Sequence, residues 1–532
     1  MTRRLIMSML TGATLLASTL LGVGPAAAAE VPAEFGSDWH DPVTAAPPVT
    51  APGTPSCRVT LAEAQFRDFT PYRGRYTPPH GCGDSWSKVV LRLDGKVKGR
   101  QYDRLGHVSV GGVEIFRTST PQPSPDGIEW SVEKDVTRYS DTLRTGQDVE
   151  MLIGNVVDDT FTGIIDVKVT LTFHTGRPAT VPDRILTLDD GALTTPRNSE
   201  RIVAEVYATG SGGGCEEYWY LSVPDTAPYS CQAADGPNRE VQIRVDGQLA
   251  GIAAPFPHVW TGGWSNPFLW YVVPGPRAFD VKPIEYDLTP FAGILNDGRP
   301  HRVEVSVAGL PEGRPGWSAP VNILVWQDEG RAHVSGELTA HRDGGLANSS
   351  TYTPGSEAHR VDTRSAHRLT VAGYVDTSHG RVWTTVRRSL AHDSVHRWTD
   401  GETTDALDAT WRDDESVTVD DRRARPARTT RTNRTYTMDG TTTLGTDDRL
   451  RTVLTLGDRA ALDVTRDGRR TFWLRLDDTY AGDATWTVNV PRDQRHAVGT
   501  SRERYRLYGS EGCYDRELAT AQGVLTEDRS RC

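Results

Sequence analysis

Three acidic points in the chain stand beside groups able to tune or use a carboxylate. Asp103 is flanked by Tyr102 and Arg104, at the entrance of an alternating run that reads as a strand and turns on Gly111-Gly112. Asp158 and Asp159 follow Gly154-Asn155-Val156-Val157 at a turn before Phe161, and Glu216 and Glu217 lie between Cys215 and Tyr218-Trp219-Tyr220. An acid next to a cation is either a structural ion pair or a general base held ionised. Acids next to aromatic rings suit a sugar site, where rings cover the apolar faces of the sugar and carboxylates bind its hydroxyls. Taken singly, each acid also reads as a solvated surface residue. The run Val259 to Trp270, with Trp260, Trp264 and Trp270 among Gly and Pro turns, reads equally as core packing or as a binding rim.

Other chemistries find no motif. There is no G-x-S-x-G, no H-E-x-x-H, no Walker loop and no EF-hand loop. Gly210-Ser211-Gly212-Gly213-Gly214 lacks dinucleotide spacing and a βαβ context, so it reads as a loop. The formal charge of −11 argues against nucleic acid or an anionic membrane as partner. No cofactor is expected. Met1 to Ala29 has the order of a signal peptide: Arg3 and Arg4, an apolar stretch, then Ala27-Ala28-Ala29. Nothing after it is apolar for long enough to span a bilayer, so a secreted protein is expected. An even number of cysteines in an exported chain reads as disulfides, and clustering favours Cys57–Cys82, Cys215–Cys231 and Cys513–Cys532. With no C-x-x-C, a structural zinc site is not expected.

The elements that must position these acids are strands. At 532 residues the chain exceeds one hydrophobic core. Val89 to Gly95 reads as a strand entering a turn; Val167, Val169, Leu171 and Phe173 share one face of another. Val241, Ile243 and Val245 alternate up to an Asp246-Gly247 turn, and Val303, Val305 and Val307 repeat the pattern. Short strands between Gly, Pro and Asp turns suggest sandwiches or jelly rolls. Residues 30–56, rich in Pro and Ala, read as a flexible leader; Arg177 to Pro182 reads as a linker; a further boundary falls near Asp328-Glu329-Gly330. The expectation is an all-β chain with jelly-roll domains at 57–180 and 181–330 and a β-rich C-terminal region at 331–532. Its histidines, between His333 and His396, read as solvated.

The chain resembles the peptide-N-glycosidase A family, acid amidases that remove N-linked glycans from asparagine. The matching text includes Gly99 to Arg104, Gly111 to Thr120, Lys134 to Tyr139, Gly154 to Asp158, Arg239-Glu240-Val241, Thr261-Gly262-Gly263, Asn266 to Trp270, Asp287 to Phe291, Gly373 to Gly380 and Gly512 to Arg516. It departs at Thr118-Ser119-Thr120, where many members are expected to carry a Cys. A weaker similarity is to peptide-N-glycosidase F, which is built of two side-by-side jelly rolls. Tyr102-Asp103-Arg104 is similar to the stretch that carries its catalytic aspartate. Gly214-Cys215-Glu216-Glu217-Tyr218 is similar to the stretch that carries its substrate-contacting glutamate, which points to Glu217 rather than Glu216. Asp158 falls where that family has a third acid.

The resemblance implies hydrolysis of the amide between the innermost N-acetylglucosamine and asparagine, in an N-glycosylated peptide or denatured glycoprotein. Asp103 would be the general base and Glu217 its catalytic partner. Arg104, Asp158 and Glu114 would contact substrate, and Trp219 and Trp264 would stack on the core sugars. The chain is expected to be a monomer, or to be processed into chains that stay associated. A glycoside hydrolase using two carboxylates and a lectin-like binding module are the rival readings.

Overall fold

The computed structural model describes residues 32–532 apart from 178–179, 211–213, 262–263, 265, 312–315 and 422–424. The expected signal segment therefore lies outside the described residues, as do parts of the Arg177–Pro182 linker, the glycine-rich loop and the Thr261-Gly262-Gly263 motif.

The first strands are β1 (Ser56–Phe66), β2 (Tyr72–Tyr76), β3 (Trp86–Val97), β4 (Leu105–Val110), β5 (Val113–Ser119), β6 (Ile128–Asp135), β7 (Gln147–Ile153) and β8 (Ile165–Thr175). They form two four-stranded sheets, ordered β1-β8-β3-β6 and β2-β7-β4-β5. The alternation read in the sequence is what makes this possible: Val89, Leu91 and Leu93 of β3 and Val167, Val169, Leu171 and Phe173 of β8 are buried, with Val108, Val110, Val149, Met151 and Ile153 of the other sheet in the same core. Gly111 and Gly112 both take positive φ in the tight turn joining β4 to β5, a conformation that favours glycine at both places. Gly95, by contrast, starts no turn. It lies inside β3 opposite Trp130, whose ring occupies the space a side chain would need, and the strand runs on to Val97.

A second set follows: β9 (Arg184–Thr187), β10 (Ala192–Leu193), β11 (Ser199–Val206), β12 (Thr209–Gly210), β13 (Glu240–Val245), β14 (Gln248–Ala253), β15 (Ile284–Asp287), β16 (His301–Ala308), β17 (Trp317–Ser318) and β18 (Val321–Gln327). Its sheets are ordered β15-β11-β18-β9 and β10-β16-β13-β14, with β12 and β17 paired apart. Leaving out that small pair, the strand order repeats that of the first set: first-eighth-third-sixth and second-seventh-fourth-fifth. The expected turn at Asp246-Gly247 is present, both residues having positive φ.

Strand β5 joins the two sets. It is buried along its whole length. Arg117 donates to Glu114 (2.7 and 3.0 Å), to Tyr207 O (3.0 Å), to Thr209 Oγ1 (2.6 Å) and to Ser318 Oγ (3.1 Å), while Asn322 bonds both the Glu114 N–H and its carbonyl.

From Ser335 to Ser530 the described residues form one eleven-stranded antiparallel sheet with strands of up to 20 residues. Its histidines are not all solvated as expected: His367, His392 and His396 are buried. Residues 35–45 do not behave as a loose leader either. The Phe35, His40 and Val43 N–H groups donate to Ala497, Gly523 and Val272 carbonyls, Trp39 stacks on Tyr271 (4.0 Å, 9°), and Ala45 is fully buried. All six cysteines are paired as expected, Cys57–Cys82, Cys215–Cys231 and Cys513–Cys532. Among the described residues no helix is long and apolar enough to cross a membrane.

Candidate active site

Asp103 and Glu217 come from opposite sets of sheets and meet around Arg104. Asp103 sits in the turn before β4 and is half-buried. Two backbone-directed bonds fix that turn: the Arg104 N–H donates to Thr120 Oγ1 (2.9 Å) and the Thr120 N–H to Arg104 O (2.9 Å). Gln101, buried, accepts on Oε1 from Arg104 Nη2 (2.5 Å) and the Tyr102 N–H (3.0 Å), and donates from Nε2 to Val156 O (2.9 Å) and Gly163 O (3.1 Å). Burial lowers the Arg104 guanidinium below its ordinary value, and the charges of Asp103, Tyr102 and Glu217 pull against that shift. One cation thus lies within reach of both acids.

Glu217 is presented by a short turn in which its N–H donates to Gly214 O (3.0 Å), and the Cys215–Cys231 disulfide closes the segment. Glu216, the preceding residue, faces the interior. Arg239 donates to it twice (2.7 and 2.9 Å) and Trp317 Nε1 once (2.7 Å), so both of its carboxylate oxygens are engaged in structure. Tyr218 carries a side-chain hydrogen bond with Glu217; burial, then the Glu217 and Asp103 charges, push its phenol well above the ordinary value. The arrangement is a half-open group of two carboxylates, one guanidinium and one phenol.

Asp158 lies nearby but does a different job. Its Oδ1 accepts from the Thr160 and Phe161 N–H groups (2.7 Å each), and the turn it caps brings the Phe161 ring to 5.1 Å from Tyr102 and under the guanidinium of Arg104 at 6.0 Å. Three other expected contacts are placed away from solvent. Glu114 is in the buried ion pair with Arg117. Trp219 is 2% exposed, packed against Tyr220, Trp317 and Trp411, and Trp264 is 3% exposed over Gly440. Both rings are almost wholly buried and so offer little surface on which a sugar could stack. The sequence assigns no role to Tyr218, Gln101 or Thr120, although all three fall inside matched stretches. The ligand atoms of Glu200, Asp328 and His379 lie within 4.8 Å of one another and are the described group able to hold a metal ion; none of them belongs to the Asp103 group.

Two sets of sheets share one strand order, and a polar group lies between them. A family model described as "Peptide N-acetyl-beta-D-glucosaminyl asparaginase amidase A" matches residues 42–192 and 180–343, more than half of the chain, and the chain belongs to that family. A curated relative, "Peptide-N4-(N-acetyl-beta-glucosaminyl)asparagine amidase A" of Prunus dulcis, is 29% identical over 381 residues, covering 63% of this chain and 66% of the relative, just short of two thirds of its length. Among solved structures, PNGase F, a glycosylasparaginase from Flavobacterium meningosepticum, aligns at 12% identity over 51% of this chain and 96% of its own, with a TM-score of 0.35. PNGF-II aligns at 15% identity over 51% and 65%, also at 0.35.

Proposed function

We propose that the protein is a secreted amidase that hydrolyses the bond between N-acetylglucosamine and asparagine in N-glycosylated peptides or denatured glycoproteins. Family membership supports this, and the observation that carries it at residue level is the convergence of Asp103, Arg104 and Glu217 from separate sets of sheets. In this reading Asp103 takes a proton from a water as its oxygen adds to the amide carbon. Arg104 steadies the oxyanion that forms. The C–N bond then breaks, the proton passes to the departing nitrogen, and the products are a glycosylamine and a peptide carrying Asp. The glycosylamine loses ammonia spontaneously. Glu217, held by Tyr218, orients the sugar and the amide. Asp158 acts through the turn that sets Phe161 beside Tyr102.

The repeated strand order is that of an eight-stranded jelly roll, so we read 57–180 and 181–330 as two such domains. The decisive experiment is mass spectrometry of a defined core-fucosylated glycopeptide after incubation at acidic pH. Peptide carrying Asp, with ammonia released, supports the amidase. Asn still carrying one sugar means a glycoside hydrolase, and a bound but unchanged glycopeptide means a lectin-like module.

A further inference from the structure

An asparagine-linked glycan presents two chemistries, sugar and polypeptide, and the group around Asp103 addresses the bond between them. Beside it the first set of sheets exposes an apolar lip. Of the six large apolar side chains exposed among the described residues, three lie in loops that meet here: Phe69 (64% exposed), Tyr102 (51%) and Val156 (40%). The other three, Ile294, Val453 and Tyr508, are on separate elements. Isolated apolar residues on a surface are ordinary; a group of them next to a polar site marks a binding surface.

The lip is built rather than loose. Asn155, fully buried, donates from Nδ2 to Phe66 O (2.9 Å) and Gly163 O (3.1 Å), and its N–H donates to Asp68 O (3.3 Å). Gln101 ties Val156 O to the Tyr102 turn, as described above. Phe69 rests on Gly154, where an added Cβ would lie 2.6 Å from the ring. Three loops, β1–β2, β3–β4 and β7–β8, are therefore locked to one another with their rings already outward. Binding to such a surface pays little further ordering entropy.

Several polar atoms of these loops are engaged within the loops themselves, although Asp68 and Asp158 are exposed. Asp68 Oδ1 accepts from the Thr70 N–H (2.7 Å), Asp158 Oδ1 caps its own turn, and Gln101 and Asn155 are used in tying the loops. A sugar needs partners for its hydroxyls, and a branched aliphatic such as Val156 offers it none. Apolar peptide side chains need only apolar surface. We propose that Phe69, Val156 and Tyr102 form a subsite for apolar side chains of the polypeptide flanking the glycosylated asparagine. The proposal rests on the amidase reading.

Two glycopeptides with one glycan test it, one with Leu and Phe beside the asparagine and one with Gly. Burying one such side chain is worth about 1.5 kcal/mol or more, so kcat/KM should favour the apolar peptide by about tenfold. In a Phe69→Ser/Val156→Ser double variant the ratio should fall toward one, with Phe69→Leu restoring part of it. A wild-type ratio near one, or a ratio the double variant keeps, overturns the proposal. So does a double variant that loses inhibition by the free glycan while keeping inhibition by the unglycosylated apolar peptide. If neither glycopeptide is turned over, the amidase reading fails, and anisotropy of the labelled apolar peptide still decides the subsite: weaker binding to the double variant supports it, and equal binding overturns it. Both substituted side chains are exposed, and thermal unfolding checks that each variant is folded.

Discussion

Glu216 and Glu217 are adjacent, chemically identical acids with different work to do. Glu216 is neutralised in the interior by Arg239 and Trp317, while Glu217 faces Tyr218 and Arg104. Removing one partner of a buried ion pair leaves the other charge without compensation, at about 3–5 kcal/mol. Glu216→Gln should therefore lower unfolding stability in urea by roughly that amount, because an amide keeps the shape but not the charge facing Arg239. Glu217→Gln should leave the unfolding midpoint close to wild type and lower kcat/KM instead; the opposite pattern would reverse the two assignments. Asp103→Asn should cost about 10²–10⁴-fold in turnover, the usual contribution of a positioned general base, with the thermal midpoint retained. Near-native turnover in that variant would remove Asp103 from the mechanism. At this scale the sequence could single out Glu217 only through family resemblance. What separates it from its neighbour is Arg239 and Trp317, residues that fold back from well outside the local run.

Elements were legible where a period of two sufficed, and illegible where a partner from far along the chain decided the matter. Gly95 looks like a turn residue until Trp130 is placed across from it. Residues 35–45 look loose because they have no period of their own, yet they are ordered by the C-terminal strands. Their last anchor is the Ala45 N–H, which donates to Glu503 Oε2 (3.1 Å). Glu503 and Asp478 form a buried pair of acids: burial pushes Glu503 up to about 7 and Asp478 well above its ordinary value, and their mutual charge raises Asp478 further. The folded state thus prefers Glu503 protonated. Its contribution to stability is full below the ordinary glutamate value and disappears as pH rises through about 7. Glu503→Gln, neutral at every pH, should flatten that part of the curve when thermal midpoints are followed from about pH 4 to about pH 8, the window set by this linkage. The hydrogen-exchange protection factor of Ala45, corrected for the intrinsic rise of exchange with pH, should fall above neutrality in the wild type and not in the variant. A variant as pH-dependent as the wild type would show that the pair does not control this anchor.

At the scale of the whole molecule, the long sheet is fastened to the second set by charged and polar contacts: Arg277 with Asp458, Arg388 with Glu285 O, His341 with Leu249 O, and His367 with Glu240. These pairings explain why the C-terminal third reads as polar yet packs as part of the same unit; its apolar content alone says little about where it docks. Two of its histidines should answer to pH in opposite senses. His367 is buried, which by itself would lower its pKa, but the bonds to Asp343 (2.8 Å) and Glu240 (2.8 and 3.0 Å) outweigh burial and raise it. Its contribution is present below the ordinary histidine value and lost as pH rises through the raised one. His392 is buried against Trp411 (4.9 Å, 9°), neither ring nitrogen meets a hydrogen-bond partner among the described residues, and burial lowers it to about 3. Its contribution is present above the ordinary value and lost as pH falls toward about 3. His367→Gln should therefore destabilise more at pH near 5 than near 8, whereas His392→Phe, which keeps a ring on Trp411 and has no proton to take up, should gain stability relative to wild type at about pH 5 and little at about pH 8. Thermal midpoints of the two variants across that range, set against wild type, should diverge on the acid side with opposite sign. Parallel curves would mean that neither histidine changes charge state on unfolding.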